Sequence, residues 1–193
     1  FQQNTLANPD LKWEENQTFN VGLDFTLFNK VNFVIDYFNK ETTNILFPRE
    51  AADPVTPNSA VKWVNLPGEL NNKGVEATIS GNLIRKQDFT LDLSINGTFL
   101  SNKVIDFGSL QIPTGEVSGQ GLSGAYAQLL VNDQPLNTFY LKKFIGIDKT
   151  TGVSLYEGGE EKFLLGSANP DVLLGFTINA TYKKFSLEAA MNG

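Results

Sequence analysis

Apolar residues recur at every second position over most of this chain. From Gln17 to Phe28 the odd positions are Phe19, Val21, Leu23, Phe25 and Leu27, and the even ones are Thr18, Asn20, Gly22, Asp24 and Thr26. A period of two is that of a β-strand, whose side chains alternate between faces, so this segment predicts a strand with one apolar and one small polar face. Asn29-Lys30 marks a tight turn, after which Val31, Phe33, Ile35 and Tyr37 resume the apolar face against Asn32, Asp36 and Lys40. The two segments make a hairpin. The pattern returns in Val75, Ala77, Ile79 and Leu83, then across the polar link Arg85-Lys86-Gln87-Asp88 in Phe89, Leu91, Leu93, Ile95 and Phe99. It returns again in Val172, Leu174, Phe176, Ile178, Ala180 and Tyr182, which turn at Lys183-Lys184 into Phe185, Leu187, Ala189 and Met191. Six long strands in three hairpins are therefore expected, over about residues 16–46, 73–101 and 172–193.

Between the hairpins run two long connections, about 47–72 and 102–171. The first holds Pro48, Pro54, Pro57 and Pro67, which cannot donate to a central ladder and predict a loop. The second holds Gly115, Gly119, Gly121 and Gly124, then strand-like pieces at 139–147 and 153–156 joined by Asp148-Lys149-Thr150-Thr151-Gly152. No window has 18 consecutive apolar residues, and no long segment keeps the spacing of an amphipathic helix. The expected fold class is all-β, an antiparallel up-and-down meander.

Alternating strands suit either a soluble β-sandwich, whose apolar faces pack together, or a membrane barrel, whose apolar faces meet lipid. Three features favour the barrel. The polar faces are Asn, Thr, Ser, Asp and Gly, with little of the Lys and Glu of an ordinary soluble surface. Links alternate strictly between short and long, as periplasmic turns and outer loops do. Aromatic residues sit near strand ends, at Phe28, Phe89, Tyr182 and Phe185, as in an interfacial belt. Six strands cannot enclose a water-filled lumen, since about eight leave only a packed core. The expectation is a single domain over 1–193 that is a wall segment of a large barrel, with no plug domain, and both ends of the chain read as cut. Phe19, Val21, Leu23, Phe25, Leu91, Leu93, Phe176 and Ile178 would face lipid, and Asn20, Asp24, Asp36, Glu76, Thr78, Asp92, Asn96, Thr177 and Asn179 would face the lumen.

Composition narrows the chemistry. The 193 residues contain no His and no Cys, which excludes imidazole and thiolate catalysis and the usual zinc sites. A net charge of −6 has the wrong sign for tracking a phosphate backbone, so nucleic acid is not an expected partner. Asp24, Asp36, Glu76 and Asp92 could in principle work as acid–base pairs, but carboxylates on an aqueous wall account for them more simply. No catalytic residue, cofactor or metal site is expected. In the long loops Trp63, Phe107, Tyr126, Tyr140 and Tyr156 are candidate contacts for a substrate or partner, by ring stacking, with packing between loops as the competing role.

Particular runs carry a family resemblance. Asn8-Pro9-Asp10-Leu11-Lys12-Trp13-Glu14, Asn20-Val21-Gly22-Leu23-Asp24-Phe25 and Tyr37-Phe38-Asn39-Lys40-Glu41-Thr42 come first. Asn72-Lys73-Gly74-Val75-Glu76, Pro135 through Phe139-Tyr140 to Gly146-Ile147, and Gly166-Ser167-Ala168-Asn169-Pro170-Asp171 follow, and then Gly175-Phe176 and Tyr182-Lys183-Lys184-Phe185-Ser186-Leu187. In this order, across nearly the whole chain, they resemble the late barrel of SusC/RagA-type TonB-dependent outer-membrane transporters of Bacteroidetes. The resemblance implies a bacterial outer-membrane location, import of a bulky nutrient such as an oligosaccharide or peptide, and no enzymatic activity. It also implies contact with membrane lipid and, through the full-length protein, with a SusD-like lipoprotein and TonB. One departure concerns calcium: where the family often carries an acidic, Asp- and Gly-rich stretch, this chain has Glu157-Gly158-Gly159-Glu160-Glu161, too few oxygens for a hard cation. The alternative function is a soluble β-sandwich carbohydrate-binding module.

Overall fold

The computed structural model describes residues 5–50 and 61–193. Every regular element among them is a strand. In chain order these are β1 (Thr5–Leu6), β2 (Glu15–Leu27), β3 (Val31–Thr43), β4 (Leu46–Glu50), β5 (Val61–Asn65), β6 (Glu69–Lys86), β7 (Phe89–Ile105), β8 (Gln111–Glu116), β9 (Tyr126–Val131), β10 (Thr138–Leu141), β11 (Phe144–Ile147), β12 (Ser154–Tyr156), β13 (Phe163–Ser167), β14 (Val172–Tyr182) and β15 (Phe185–Asn192). The chain divides into a sheet unit, Thr18–Lys40, Asn72–Ser101 and Pro170–Gly193, and a loop unit made of Phe1–Gln17, Glu41–Asn71 and Asn102–Asn169.

The six long strands form one sheet in the order β15-β14-β7-β6-β3-β2. Its register keeps like faces together. Phe176 lies opposite Ile95 on one side and Met191 on the other, and Ile178 lies opposite Leu93 and Ala189. Within the first hairpin the Phe25 and Phe33 rings stack with centroids 5.0 Å apart, and Thr26 donates to Asn32 Oδ1 at 2.8 Å. Gly81 lies against Val31 and Gly74 against the Phe38 ring, so β6 runs antiparallel to β3. Because a one-residue slip would send every side chain of a strand to the other face, these pairings align the apolar positions of all six strands on one face.

The first hairpin turns one residue earlier than the expected Asn29-Lys30. Phe28 and Asn29 hold φ of 53° and 52°, and the Lys30 N–H donates to the Leu27 carbonyl at 3.0 Å. Two central residues with positive φ make a type I′ turn, the form whose twist matches that of the flanking strands. The pairing of Thr26 with Asn32 leaves no other register for the turn, even though it places a phenylalanine in the left-handed region.

In the loop unit the structure corrects the expectation of plain loops. The first connection holds β5 and most of β4, in a sheet with the N-terminal β1, and the second, where strand-like pieces were expected only at 139–147 and 153–156, holds the sheet β13-β10-β9-β8 as well as the hairpin β11-β12. Pro48 belongs to β4 and Pro113 to β8, and both are edge strands, where a missing N–H breaks no ladder. Pro54 and Pro57 lie outside the described residues. The segment expected as one strand over 139–147 is split at Lys142-Lys143: β10 pairs with β9 and β13, and β11 with β12.

Leu66, Val104 and Phe107 form the core of this unit, with Ile45, Phe47, Leu70, Ile112, Leu130 and Leu136 packed on it. Asparagine side chains supply backbone partners where the ladders stop. Asn65 receives the Lys12 N–H and donates to the Lys12 and Asn44 carbonyls, Asn102 Oδ1 receives the Leu136 N–H, and Asn132 Oδ1 receives that of Phe107. Short amides bond local backbone well, which explains their concentration at these joints.

Candidate functional site

Two regions carry the chemistry, and each lies within one unit. The first is the polar face of the sheet unit. Asn20, Asp24, Asp36, Glu76, Thr78, Asp92, Asn96, Thr177 and Asn179 occupy the parity opposite to the apolar residues; Thr177 is opposite Ser94, and Asn179 is opposite Asp92. Phe19, Val21, Leu23, Phe25, Leu91, Leu93, Phe176 and Ile178 occupy the other parity.

Glycines shape the polar face. A Cβ at Gly22 would strike the Asp36 carboxylate, and one at Gly175 would strike the Asn96 amide, so both side chains lie flat over a bare backbone. Asn82 donates to Asp92 Oδ1 at 2.7 Å. This packing leaves two shallow concavities. One of about 530 Å³ is lined by Lys30, Ser80, Asn82, Arg85, Asp92 and Asn179, among others. The other, about 360 Å³, is lined by Thr18, Asn20, Asp36, Lys40, Asn72 and Glu76 with Tyr37 and Phe38. Amides, hydroxyls and scattered charges of both signs suit a hydrated surface that hydrogen-bonds a passing solute. Asp24, which the sequence offered as an acid–base candidate beside Asp36, Glu76 and Asp92, lines neither hollow.

The second region is a pocket of about 400 Å³ on the four-stranded sheet of the loop unit. It is lined by Gln111 and Pro113 of β8, Tyr126 and Gln128 of β9, Tyr140 of β10, and Lys162, whose Nζ stands 5.7 Å from the Tyr140 ring centre. Gly115, with φ of 64°, leaves the space the Gln128 side chain takes up. Two rings, two amides and one ammonium in a volume of this size can stack against a flat group and hydrogen-bond its edge.

Of the five aromatic residues singled out in the sequence, only Tyr126 and Tyr140 meet. Tyr156 belongs to the separate β11-β12 hairpin, edge-on to Phe144 at 6.1 Å and beneath Lys142 at 5.6 Å. Trp63 is on β5 opposite Pro48 and is 41% exposed. Phe107 is the correction: at 2% exposure it sits in the core beside Leu66 and Val104, so it presents no surface to a ligand. Asp106 and Gly108, with φ of 56° and 61°, turn the chain sharply on either side of it. Gln111 and Gln128 were missed because β8 and β9 were not read as strands, and Lys162 because it directly precedes β13, which was not read as one either. The apolar run Tyr126-Ala127-Gln128-Leu129-Leu130-Val131 was the available signal.

Among the described residues no three acidic side chains gather as a metal site would need. Glu157 and Glu160 of the acidic loop are taken up in ion pairs with Lys143 and Lys142. One carboxyl is displaced from its usual range. The Thr150 and Thr151 N–H groups donate to Asp148 Oδ1 at 2.8 and 3.3 Å and hold its pKa below the ordinary 3.8. This closes the turn between β11 and β12.

The model of the TonB dependent receptor-like β-barrel family matches residues 1–189. The chain is 28% identical over 212 residues to TonB-dependent receptor P3 of Formosa agariphila, covering 94% of this chain and 20% of that protein. It is also 28% identical, over 206 residues, to TonB-dependent receptor SusC of Bacteroides thetaiotaomicron, covering 96% of this chain and 20% of the relative. A solved structure of the RagAB peptide transporter shares the fold at a TM-score of 0.79 and 22% identity, over 97% of this chain and 22% of that one. The chain thus spans about a fifth of the length of the relatives it matches. They are receptors and transporters, not enzymes.

Proposed function

The chain belongs to the TonB-dependent receptor-like β-barrel family of the bacterial outer membrane, and on that premise we propose that its six-stranded sheet is a stretch of transporter wall with lipid on one face and a hydrated import path on the other. Phe19, Val21, Leu23, Phe25, Leu91, Leu93, Phe176 and Ile178 then meet hydrocarbon, and Asn20, Asp24, Asp36, Glu76, Thr78, Asp92, Asn96, Thr177 and Asn179 line the path. The cargo of the whole protein is a bulky nutrient, an oligosaccharide or a peptide, taken up with a SusD-like lipoprotein and energised through TonB. The SusC relative and the peptide transporter of similar fold support this reading. The Tyr126–Tyr140 pocket is the part of the loop unit best suited to touch cargo or lid. Membership of a barrel family sets the soluble β-sandwich reading aside.

The observation that carries the proposal is the register, which collects the apolar residues of six strands on one face, most of them open, as Phe19, Leu23 and Leu174 at 61, 59 and 55% exposure, and others, as Leu91, Leu93, Phe176 and Ile178, half-buried. An apolar face of this extent with no protein over it requires another cover. Lipid is that cover here, because strands of alternating character are what a membrane barrel is built from.

The test is cysteine accessibility in the full-length receptor, in intact outer membranes. This part of the protein has no cysteine of its own. Asn179→Cys and Thr177→Cys should react with a small water-soluble maleimide, and Ile178→Cys should stay protected until detergent is added. Reaction at Ile178→Cys before detergent, or alternation lost along 176–179, would overturn the proposal.

A further inference from the structure

Charge along this chain is segregated. Of its 15 Lys and Arg residues, five (Lys30, Arg85, Lys86, Lys183 and Lys184) sit at the three short turns with a single acid, Asp88. The remaining sequence sets ten cations against twenty acids. The turns are also neighbours in space. Tyr182 lies opposite Phe89 and Phe185, and the Lys183 N–H donates to the Asp88 carbonyl at 2.8 Å, which ties the second turn to the third. Lys30 and Arg85 line the same hollow.

A row of three aromatic residues, Phe89, Tyr182 and Phe185, thus closes the ends of β7, β14 and β15 on the apolar face, and the basic turn lies just beyond it. Tyr182 and Phe185 are 54 and 78% exposed, and Lys183 Nζ stands 5.5 Å from the Tyr182 ring centre. Among the described residues none of the five cations is in an ion pair, whereas Lys103, Lys142 and Lys143 of the loop unit each hold a carboxylate. Rings at the margin of an apolar face, followed at the next turn by the unneutralised ammonium groups of Lys183 and Lys184, match the sequence of layers at a bilayer surface: acyl chain, glycerol region, phosphate.

We propose that the short-turn end of this sheet is a binding surface for anionic phospholipid headgroups, with Lys183 and Lys184 meeting the phosphates and the aromatic row the acyl margin. The inference rests on the sheet being a membrane wall. Short turns of outer-membrane barrels face the periplasm, so the lipid is the phospholipid of the inner leaflet. Each cation near an anionic surface contributes about 1 kcal/mol, so losing two should weaken retention about 30-fold.

The experiment takes the full-length receptor through nanodiscs of phosphatidylethanolamine and phosphatidylglycerol and counts retained lipids by native mass spectrometry. Wild type should retain phosphatidylglycerol over phosphatidylethanolamine, the K183Q/K184Q variant should lose that preference, and K142Q/K143Q should keep it. Because a variant could fail to assemble, the wild type is also washed in high salt, which should release phosphatidylglycerol by screening. Equal retention of the two lipids by wild type, a K183Q/K184Q variant that retains phosphatidylglycerol as wild type does, indifference to salt, or displacement by equimolar inorganic phosphate would each overturn the proposal. Failure of the wall itself is read separately, from labelling at Ile178→Cys: protection there together with no phosphatidylglycerol preference defeats the headgroup surface alone.

Discussion

The two units differ in whether they build an apolar core of their own. In the loop unit Leu66, Val104, Phe107 and Leu129 are buried, with Asn65, Asn102 and Asn132 closing the backbone around them. In the sheet unit the larger share of the apolar residues is gathered by register and left open on one face. The loop unit therefore holds a core of its own that removes apolar area from water, although its β11-β12 hairpin keeps Phe144, Ile145, Ile147 and Val153 exposed. On the proposed reading the sheet unit gains its apolar environment from outside the chain, and its own contribution is the hydrogen-bonded ladder that keeps parity. Hydrophobic content alone does not separate the two; what separates them is whether the apolar side chains find each other.

The comparison is tested most severely by Phe107→Ala. Removing a ring at 2% exposure should cost the loop unit about 3–5 kcal/mol. Amide exchange in the full-length receptor should rise at Val104 and Leu129 while β14 and residues 89–101 of β7 keep their protection. If the wall loosened equally, the two units would be one cooperative body. Next in size, Leu93→Arg on the apolar face should cost about 2–4 kcal/mol in urea titrations of the membrane-embedded receptor, and Ser94→Arg beside it close to nothing. Equal costs at the two neighbours would erase the distinction between faces.

A smaller effect is expected at Thr138, fully buried in β10, whose hydroxyl donates to the Pro135 carbonyl at 2.7 Å. Thr138→Val preserves shape and strands that acceptor, at about 1–3 kcal/mol, visible as faster exchange in β9 and β10 alone. The smallest effect is at Asp148. Its folded-state pKa is lowered, so the support it gives the β11-β12 turn is present above pH 3.8 and fades as the pH falls through the lower folded value. Exchange of the Thr150 and Thr151 amides, corrected for intrinsic rates, should rise on acidification below pH 3.8 in the wild type and lose that dependence in Asp148→Ala.

The three hairpins were legible because alternation is a local property: Phe19 through Leu27 names its own two faces, and Lys183-Lys184 its own turn. The resemblance to TonB-dependent transporters was legible for a similar reason, since runs such as Asn72-Lys73-Gly74-Val75-Glu76 are contiguous. The strands β8, β9 and β13 were not. All three are short, β8 is interrupted by Pro113 and Gly115 and β13 by Gly166, and each is a strand because a partner outside its own run pairs with it.

The turn at Phe28 shows the limit at a single residue. Propensity alone would spare a phenylalanine a φ of 53°, but the pairing of β2 with β3 overrules it. Phe107 shows the limit for a candidate site. Its flanking Asp106 and Gly108 read as an exposed loop, and only contact with Leu66, 41 positions earlier, puts the ring inside. The sequence by itself thus determined strand parity, turn chemistry, charge segregation and family, all written in neighbouring residues. The tertiary structure alone decided which aromatic residues meet, which one is buried and where the loop sheets form, because those outcomes depend on contacts between segments far apart in the chain.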